Sequence, residues 1–143
     1  MTRYLLDTNI ISNVIKPTPS PALAAWMIAQ SDEDLFISAV TVAEVRRGVL
    51  ERPAGKRRRD LEDWFASRSG PLALFSGRIL AFDERAALAW AQLMAEGTAR
   101  GRPRSSTDMM IAAIAEANDC VVATDNERDF AGLTMVNPLR AST

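Results

Sequence analysis

Asp7, Glu44, Asp108, Asp125 and Asp129 are the acids whose positions suggest chemistry rather than solubility. Asp7 follows directly on the apolar run Tyr4-Leu5-Leu6 and is succeeded by Thr8-Asn9, which are turn and cap residues. Glu44 and Asp108 fall near the starts of helical stretches, and Asp125 and Asp129 follow the apolar run Cys120-Val121-Val122-Ala123. The chain has no histidine and one cysteine. That excludes Ser-His-Asp and Cys-His catalysis and zinc held by histidine or thiolates. What these acids can do together is hold a divalent cation through oxygen, which favours Mg²⁺ or Mn²⁺. Carboxylates crowded in one place raise one another's pKa, and a cation between them relieves the repulsion.

Each acid also has a purely structural reading. Asp7 can cap a helix starting near Ile10. Thr41-x-x-Glu44 and Ser105-x-x-Asp108 both fit the capping box. An acid in a first helical turn gains about 0.3–1 kcal/mol from the helix dipole.

The elements that must position these acids weigh against that reading for the group. Apolar runs predict strands over residues 4–7, 35–38, 79–82, 120–123 and 134–136. Between them, helical spacing predicts helices over 9–15, 21–30, from Thr41, over 56–67, from a cap at Asp83 to about Glu96, and from Ser106 to Asn118. Lys16-Pro17-Thr18-Pro19 stops the first helix, and residues 72–75 fit helix or strand equally. Strands alternating with helices predict an α/β fold with a parallel sheet covered on both faces. In such a sheet, whatever follows a strand lies at one rim, where ligands bind. Asp7, Glu44, Asp125 and Asp129 arrive there. Asp108 does too, because a helix leading back into a strand starts at that strand's carboxyl end.

Composition bounds the answer further. The chain has 143 residues, 48% of them hydrophobic, which suits a single domain over 1–143. No apolar run reaches the roughly 18 residues of a membrane span, and Asp7 interrupts any signal-peptide pattern, so a cytoplasmic protein is expected. Cys120, in an apolar run, reads as a buried structural thiol. The net charge is −1, but Arg46, Arg47, Arg52, Lys56, Arg57, Arg58 and Arg59 crowd one stretch and Arg100, Arg102 and Arg104 another. Arginine suits phosphate; a solvated helix face is the alternative. Basic residues at the start of a helix oppose its dipole, so residues 56–59 need a partner or open solvent.

Four stretches in order carry a resemblance: Leu5-Leu6-Asp7-Thr8-Asn9; Ser38-Ala39-Val40-Thr41-Val42-Ala43-Glu44; Asp108-Met109-Met110-Ile111-Ala112-Ala113; and Ala123-Thr124 with Asp129-Phe130. Val136-Asn137-Pro138-Leu139 closes the pattern. It resembles the PIN-domain ribonucleases, and among them the VapC- and FitB-type toxins of bacterial toxin–antitoxin modules, over nearly the whole chain. The resemblance implies a three-layer α/β/α fold with a central parallel sheet. It implies a Mg²⁺- or Mn²⁺-dependent endoribonuclease in which a metal-activated water attacks RNA, a homodimer, and inhibition by a VapB-like antitoxin. By position it implies Asp7, Glu44 and Asp108 as catalytic metal ligands; for the fourth acid it leaves Asp125 or Asp129, of which Asp129, directly before Phe130, is taken as the fourth and Asp125 as an assisting ligand, with Thr8, Asn9 and Thr124 as residues that orient the acids. Arg46, Arg47, Arg57, Arg58, Arg59, Arg100, Arg102 and Arg104 are then candidates to guide the RNA backbone.

Three rivals remain distinct. A haloacid-dehalogenase-like phosphatase needs a second Asp two residues after the first, where this chain has Asn9. A DNA-directed nuclease of the same fold and a catalytically silent binding module share the acids and differ in what turnover assays would show.

Overall fold

Leu5 and Leu6 are neighbours in one strand, yet they belong to different hydrophobic clusters, because successive strand side chains point to opposite faces. Both are fully buried. Val122 and Ala123 divide in the same way, and Leu35 and Ile37 share the face of Leu6 while Phe36 packs on the other. Such strands must be covered on both sides, as their apolar runs predict. Full burial of each large aliphatic side chain is worth about 1.5–3 kcal/mol, so the strands are held by packing more than by their few ladder bonds.

A computed structural model describes residues 1–16 and 18–140 of the chain. Pro17, part of the expected stop to the first helix, lies outside the described residues. Five strands, β1 (Arg3–Leu6), β2 (Leu35–Ser38), β3 (Ile79–Leu80), β4 (Cys120–Ala123) and β5 (Met135–Val136), form one sheet in the order β3-β2-β1-β4-β5. Every pairing is parallel. One face is covered by α6 (Glu84–Ala99) and α7 (Ser106–Ala117), with Leu93, Met109, Ile111 and Phe130 in its core. The other carries α1 (Thr8–Val14), α2 (Pro21–Ala29), α3 (Ala39–Leu50), α4 (Lys56–Ala66) and α5 (Pro71–Leu74), with Ile10, Leu23, Val45 and Phe65 in its core. This is the three-layer α/β/α arrangement around a parallel sheet.

The chain runs from β1 to β2 and β3 on one side, then returns to β4 and β5 on the other. The order therefore switches at β1/β4, and the crevice beyond their carboxyl ends is where such sheets bind ligands. Leu6 pairs with Ala123, and one residue further the Asp7 N–H donates to the Ala123 carbonyl at 2.9 Å. Asp7 and Thr124 thus leave the sheet side by side.

Several boundaries differ from the sequence reading. β1 ends at Leu6, since Asp7 caps α1. α3 starts directly after β2: Ser38 is its cap, accepting from the Thr41 N–H at 2.9 Å. Thr41 is consequently buried inside the helix, Glu44 lies in the second turn, and the expected Thr41–Glu44 capping box does not form. Residues 72–75 fall mainly in a short helix. α6 continues past Gly97 because that glycine is needed for close packing: a Cβ there would stand 2.9 Å from the Arg102 carbonyl oxygen. At the start of α4, Lys56 and Arg58 pair with Asp60 and Glu62 one turn on. Cys120 is buried and free. Among the described residues no helix is long and apolar enough to cross a membrane.

Candidate active site

Asp7 is both a cap and a member of an acidic cluster. Its side chain is only 4% exposed. Oδ1 accepts from the Thr8 N–H at 2.8 Å, and Oδ2 accepts from the Thr124 hydroxyl at 2.8 Å. A threonine hydroxyl has one proton, so Thr124 gives its proton to Asp7 and is left to accept. It accepts from the Asn126 N–H at 2.9 Å and from Asn9 Nδ2 at 3.4 Å. Asn9 in turn accepts from the Asp125 N–H through Oδ1 at 3.2 Å. The end of β1 is thereby laced to the loop after β4.

Glu44, half-buried on α3, is reached from the other side. The Thr8 hydroxyl donates to Glu44 Oε1 at 2.6 Å and lies 3.1 Å from the Thr41 hydroxyl. Ser38 Oγ lies 3.3 Å from the same Thr41 oxygen and donates to it. With one proton per hydroxyl, and that of Thr8 given to Glu44, the chain has a single consistent direction: Ser38 to Thr41 to Thr8 to Glu44. Sequence reading singled out neither Ser38 nor Thr41 as contributors. The signal available was the Ser-x-x-Thr spacing directly after a strand, which places a helix cap at the rim.

Asp108 occupies the first turn of α7, where its N–H donates to the cap Ser105 Oγ at 3.3 Å. Its carboxyl is pushed up to about 6, first by burial, then by the charge of Asp7, and then by hydrogen bonding to and repulsion from Asp129. Burial is also the main force raising Asp7; Glu44 and Asp129 add to it, while the bonds from Thr124 and Thr8 work against it. Asp129 is exposed and is held by Asn126, whose Nδ2 donates to Oδ2 at 2.8 Å. Asn126 is the other contributor that the sequence left unassigned. Asp125 is exposed and is tied to the cluster through its backbone N–H, which donates to Asn9 Oδ1.

Asp7, Glu44, Asp108 and Asp129 thus meet at the β1/β4 crevice. Among the described residues, no lysine or arginine forms an ion pair with any of them. Also among the described residues, no buried side-chain nitrogen or oxygen lacks a partner. A set of hard oxygen donors, two of them held above their ordinary range by burial and mutual repulsion, has the chemistry to take a divalent cation. Among the described residues, no three His, Cys, Asp or Glu side chains are already arranged to hold an ion.

The arginines divide into groups. Arg46 stacks over Phe65 at 5.3 Å, Arg47 pairs with Glu51, and Arg58 with Glu62. Arg57 lines the rim of an apolar groove between α1, α4 and α5, and Arg59 is exposed. Arg104 is 13% exposed, donates to the Leu93 carbonyl at 2.7 Å and lies 3.8 Å from Glu96, so the structure gives it a packing task. Arg100 and Arg102 are exposed.

The family model described as "PIN domain" matches residues 4–133. The VapC ribonuclease Y4jK of Sinorhizobium fredii is 41% identical over 94% of this chain and 96% of its own. Toxin FitB of Neisseria gonorrhoeae is 38% identical over 94% of this chain and 96% of its own. The crystal structure of FitAcB from the same organism superposes with a TM-score of 0.86 at 37% identity, covering 94% of this chain and 97% of that one.

Proposed function

The chain belongs to the PIN-domain family, with VapC- and FitB-type relatives, and from that premise we propose that it is a metal-dependent endoribonuclease, the toxin of a VapBC-type module. The observation that carries this reading is the meeting of Asp7, Glu44, Asp108 and Asp129 at the β1/β4 crevice with no cationic side chain paired to them among the described residues. The ribonuclease and toxin named among the relatives support it.

In this reading Asp7, Glu44, Asp108 and Asp129 hold Mg²⁺ or Mn²⁺, which when bound makes water a better nucleophile and offsets charge on the phosphate. The protein's own part is positioning. Thr124 and the Thr8 N–H fix both oxygens of Asp7, and Thr8 aims Glu44. Burial and the neighbouring acids push the Asp108 carboxyl up to about 6, so it would give up its proton as a cation binds, and metal uptake would depend on pH. Asp125 serves through its N–H on Asn9.

The whole chain acts as one domain, in the cytoplasm and as a homodimer, with a VapB-like antitoxin as its inhibitor. An apolar groove of about 500 Å³ between α1, α4 and α5, lined by Ile11, Val14, Trp64, Leu74 and Phe75, offers that partner a landing site.

The deciding experiment is cleavage of end-labelled structured RNA, and of matched DNA, by the native chain and by Asp108→Asn, with Mg²⁺ or with EDTA. RNA cleavage that needs both the metal and Asp108 is the expected result. Cleavage of DNA alone, or none of either, overturns the assignment.

A further inference from the structure

A trough of about 1130 Å³ opens between the loop joining α6 to α7 and the loop after β4. Arg100 and Arg102 stand on one wall, Arg128 on the other, and Ser105 and Asp129 line it as well. Ser105 caps the helix that bears Asp108, and Asp129 acts directly on the Asp108 carboxyl. The trough therefore leads into the acidic crevice.

Both walls are built in advance. Gly101, with φ 70°, reverses the chain, and the Arg102 N–H donates to the Gly97 carbonyl at 2.9 Å. The missing Cβ at Gly97 is what lets this loop lie against α6. Arg104 pins the loop through Leu93 and Glu96. Opposite, Asn126 clasps Asp129 by its amide nitrogen at 2.8 Å and accepts the Asp129 N–H at 3.4 Å. Arg128 sits within that fold.

Arg100, Arg102 and Arg128 are exposed, and none forms an ion pair among the described residues. The trough lining carries Arg100, Arg102, Arg104 and Arg128 against the one carboxylate of Asp129, a local excess of positive charge in a chain of net charge −1. The arginines' planar forks match phosphate oxygens. The other basic stretch differs. It starts α4, which packs on the opposite face of the sheet, and its Lys56 and Arg58 are paired within their own helix.

We infer that this trough holds the RNA backbone beside the bond to be cut, with Arg102 and Arg128 gripping phosphate from opposite walls, Arg100 extending the path, and Arg104 only holding the loop. This rests on the endoribonuclease reading above. RNA thus enters along the α6/α7 face, not along α4.

The test uses the full chain carrying Asp108→Asn, so that RNA is bound but not cut, and fluorescence anisotropy with a labelled single-stranded RNA. Arg102→Ala with Arg128→Ala is compared with Arg68→Ala with Arg85→Ala, a control that removes the same charge elsewhere. Matching thermal melts establish that both fold. Loss of two phosphate contacts should weaken binding about tenfold and lower the salt slope by about 1.4, at about 0.7 per contact on a single strand. The control should stay near the parent. In the chain with native Asp108, the trough pair should raise KM for RNA far more than it lowers kcat. Equal losses in trough and control variants overturn the inference, as does an unchanged KM in a chain that still cuts RNA. Selective loss of duplex DNA binding overturns it in favour of a DNA path. If the native chain neither binds nor cuts RNA, the endoribonuclease reading itself falls, and the trough assignment with it.

Discussion

The hydroxyl of Thr124 donates to Oδ2 of Asp7 at 2.8 Å across a separation of 117 residues. This bond stands at the β1/β4 switch point, between a wholly buried threonine and an almost wholly buried carboxylate. Thr124→Val removes the donor to Asp7 and the acceptor for Asn126. The expected cost is about 1–3 kcal/mol in urea unfolding, because buried polar groups are left without partners. Activity should fall about 10–100-fold, as for other residues that orient ligating side chains. Thr124→Ser, which keeps the hydroxyl, should recover most of both. A Val variant as stable and active as the parent would show that the bond does not matter.

Thr8→Val should cut activity by a similar factor, about 10–100-fold, by freeing Glu44. Thr41→Val acts one bond further back in the hydroxyl chain and leaves the Thr8–Glu44 bond in place. Its effect on kcat should be smaller than that of Thr8→Val. The reverse ranking in steady-state assays would contradict the direction assigned to the chain.

The pH dependence of the metal-free protein follows from Asp108. Its carboxyl is pushed up to about 6 from an ordinary 3.8. Between those values the folded state binds more protons than the unfolded one. This contribution to stability is therefore complete below 3.8 and is lost as pH rises through about 6. Asp7, also raised, contributes with the same sign. In EDTA, Tm should rise as pH is lowered from neutral toward 5. Asp108→Asn should flatten that rise and lift Tm at neutral pH, while abolishing cleavage. Added Mg²⁺ should stabilise the native chain more than the Asn variant, and equal shifts in calorimetry would count against Asp108 as a ligand.

Two glycines predict opposite signs. A Cβ at Gly70 would stand 2.3 Å from the Phe65 carbonyl oxygen and 2.4 Å from that of Trp64, both unyielding backbone atoms. Gly70→Ala should therefore destabilise by about 1–3 kcal/mol. Gly48 lies on an exposed part of α3 with open space around its Cβ position. Gly48→Ala should stabilise by about 0.5–1 kcal/mol, the difference in helix propensity. Chemical denaturation of the two variants side by side checks both.

Much of the site was legible in the residues because topology does the first part of the work. Asp7 and Asp108 lie at ends of elements and Asp129 in the loop that follows β4, and in an alternating α/β chain these places share a rim. Glu44 was placed at that rim for a reason the structure corrects. The helix bearing it starts at Ala39 under a Ser38 cap, three residues before the Thr41 cap that the sequence suggests, so Glu44 sits in its second turn. Helical spacing ends α6 at about Glu96, before a glycine, whereas packing against the 100–104 loop carries the helix to Ala99.

The sequence by itself determined which chemistries were open. Without histidine and with one cysteine, only oxygen-based sites remained, and the period of the apolar residues set which acids would reach the rim. The tertiary structure decided who meets whom there. Strand order puts Thr124 beside Asp7, and loop packing joins Asp129 to Asp108 while leaving Asp125 exposed. It also separates Arg104, pinned against α6, from Arg102 and Arg128, which line the trough. The reason is physical. Local spacing fixes where along an element a side chain projects, but its lateral neighbours come from strand order and packing between residues far apart in the chain, which local periodicity does not encode.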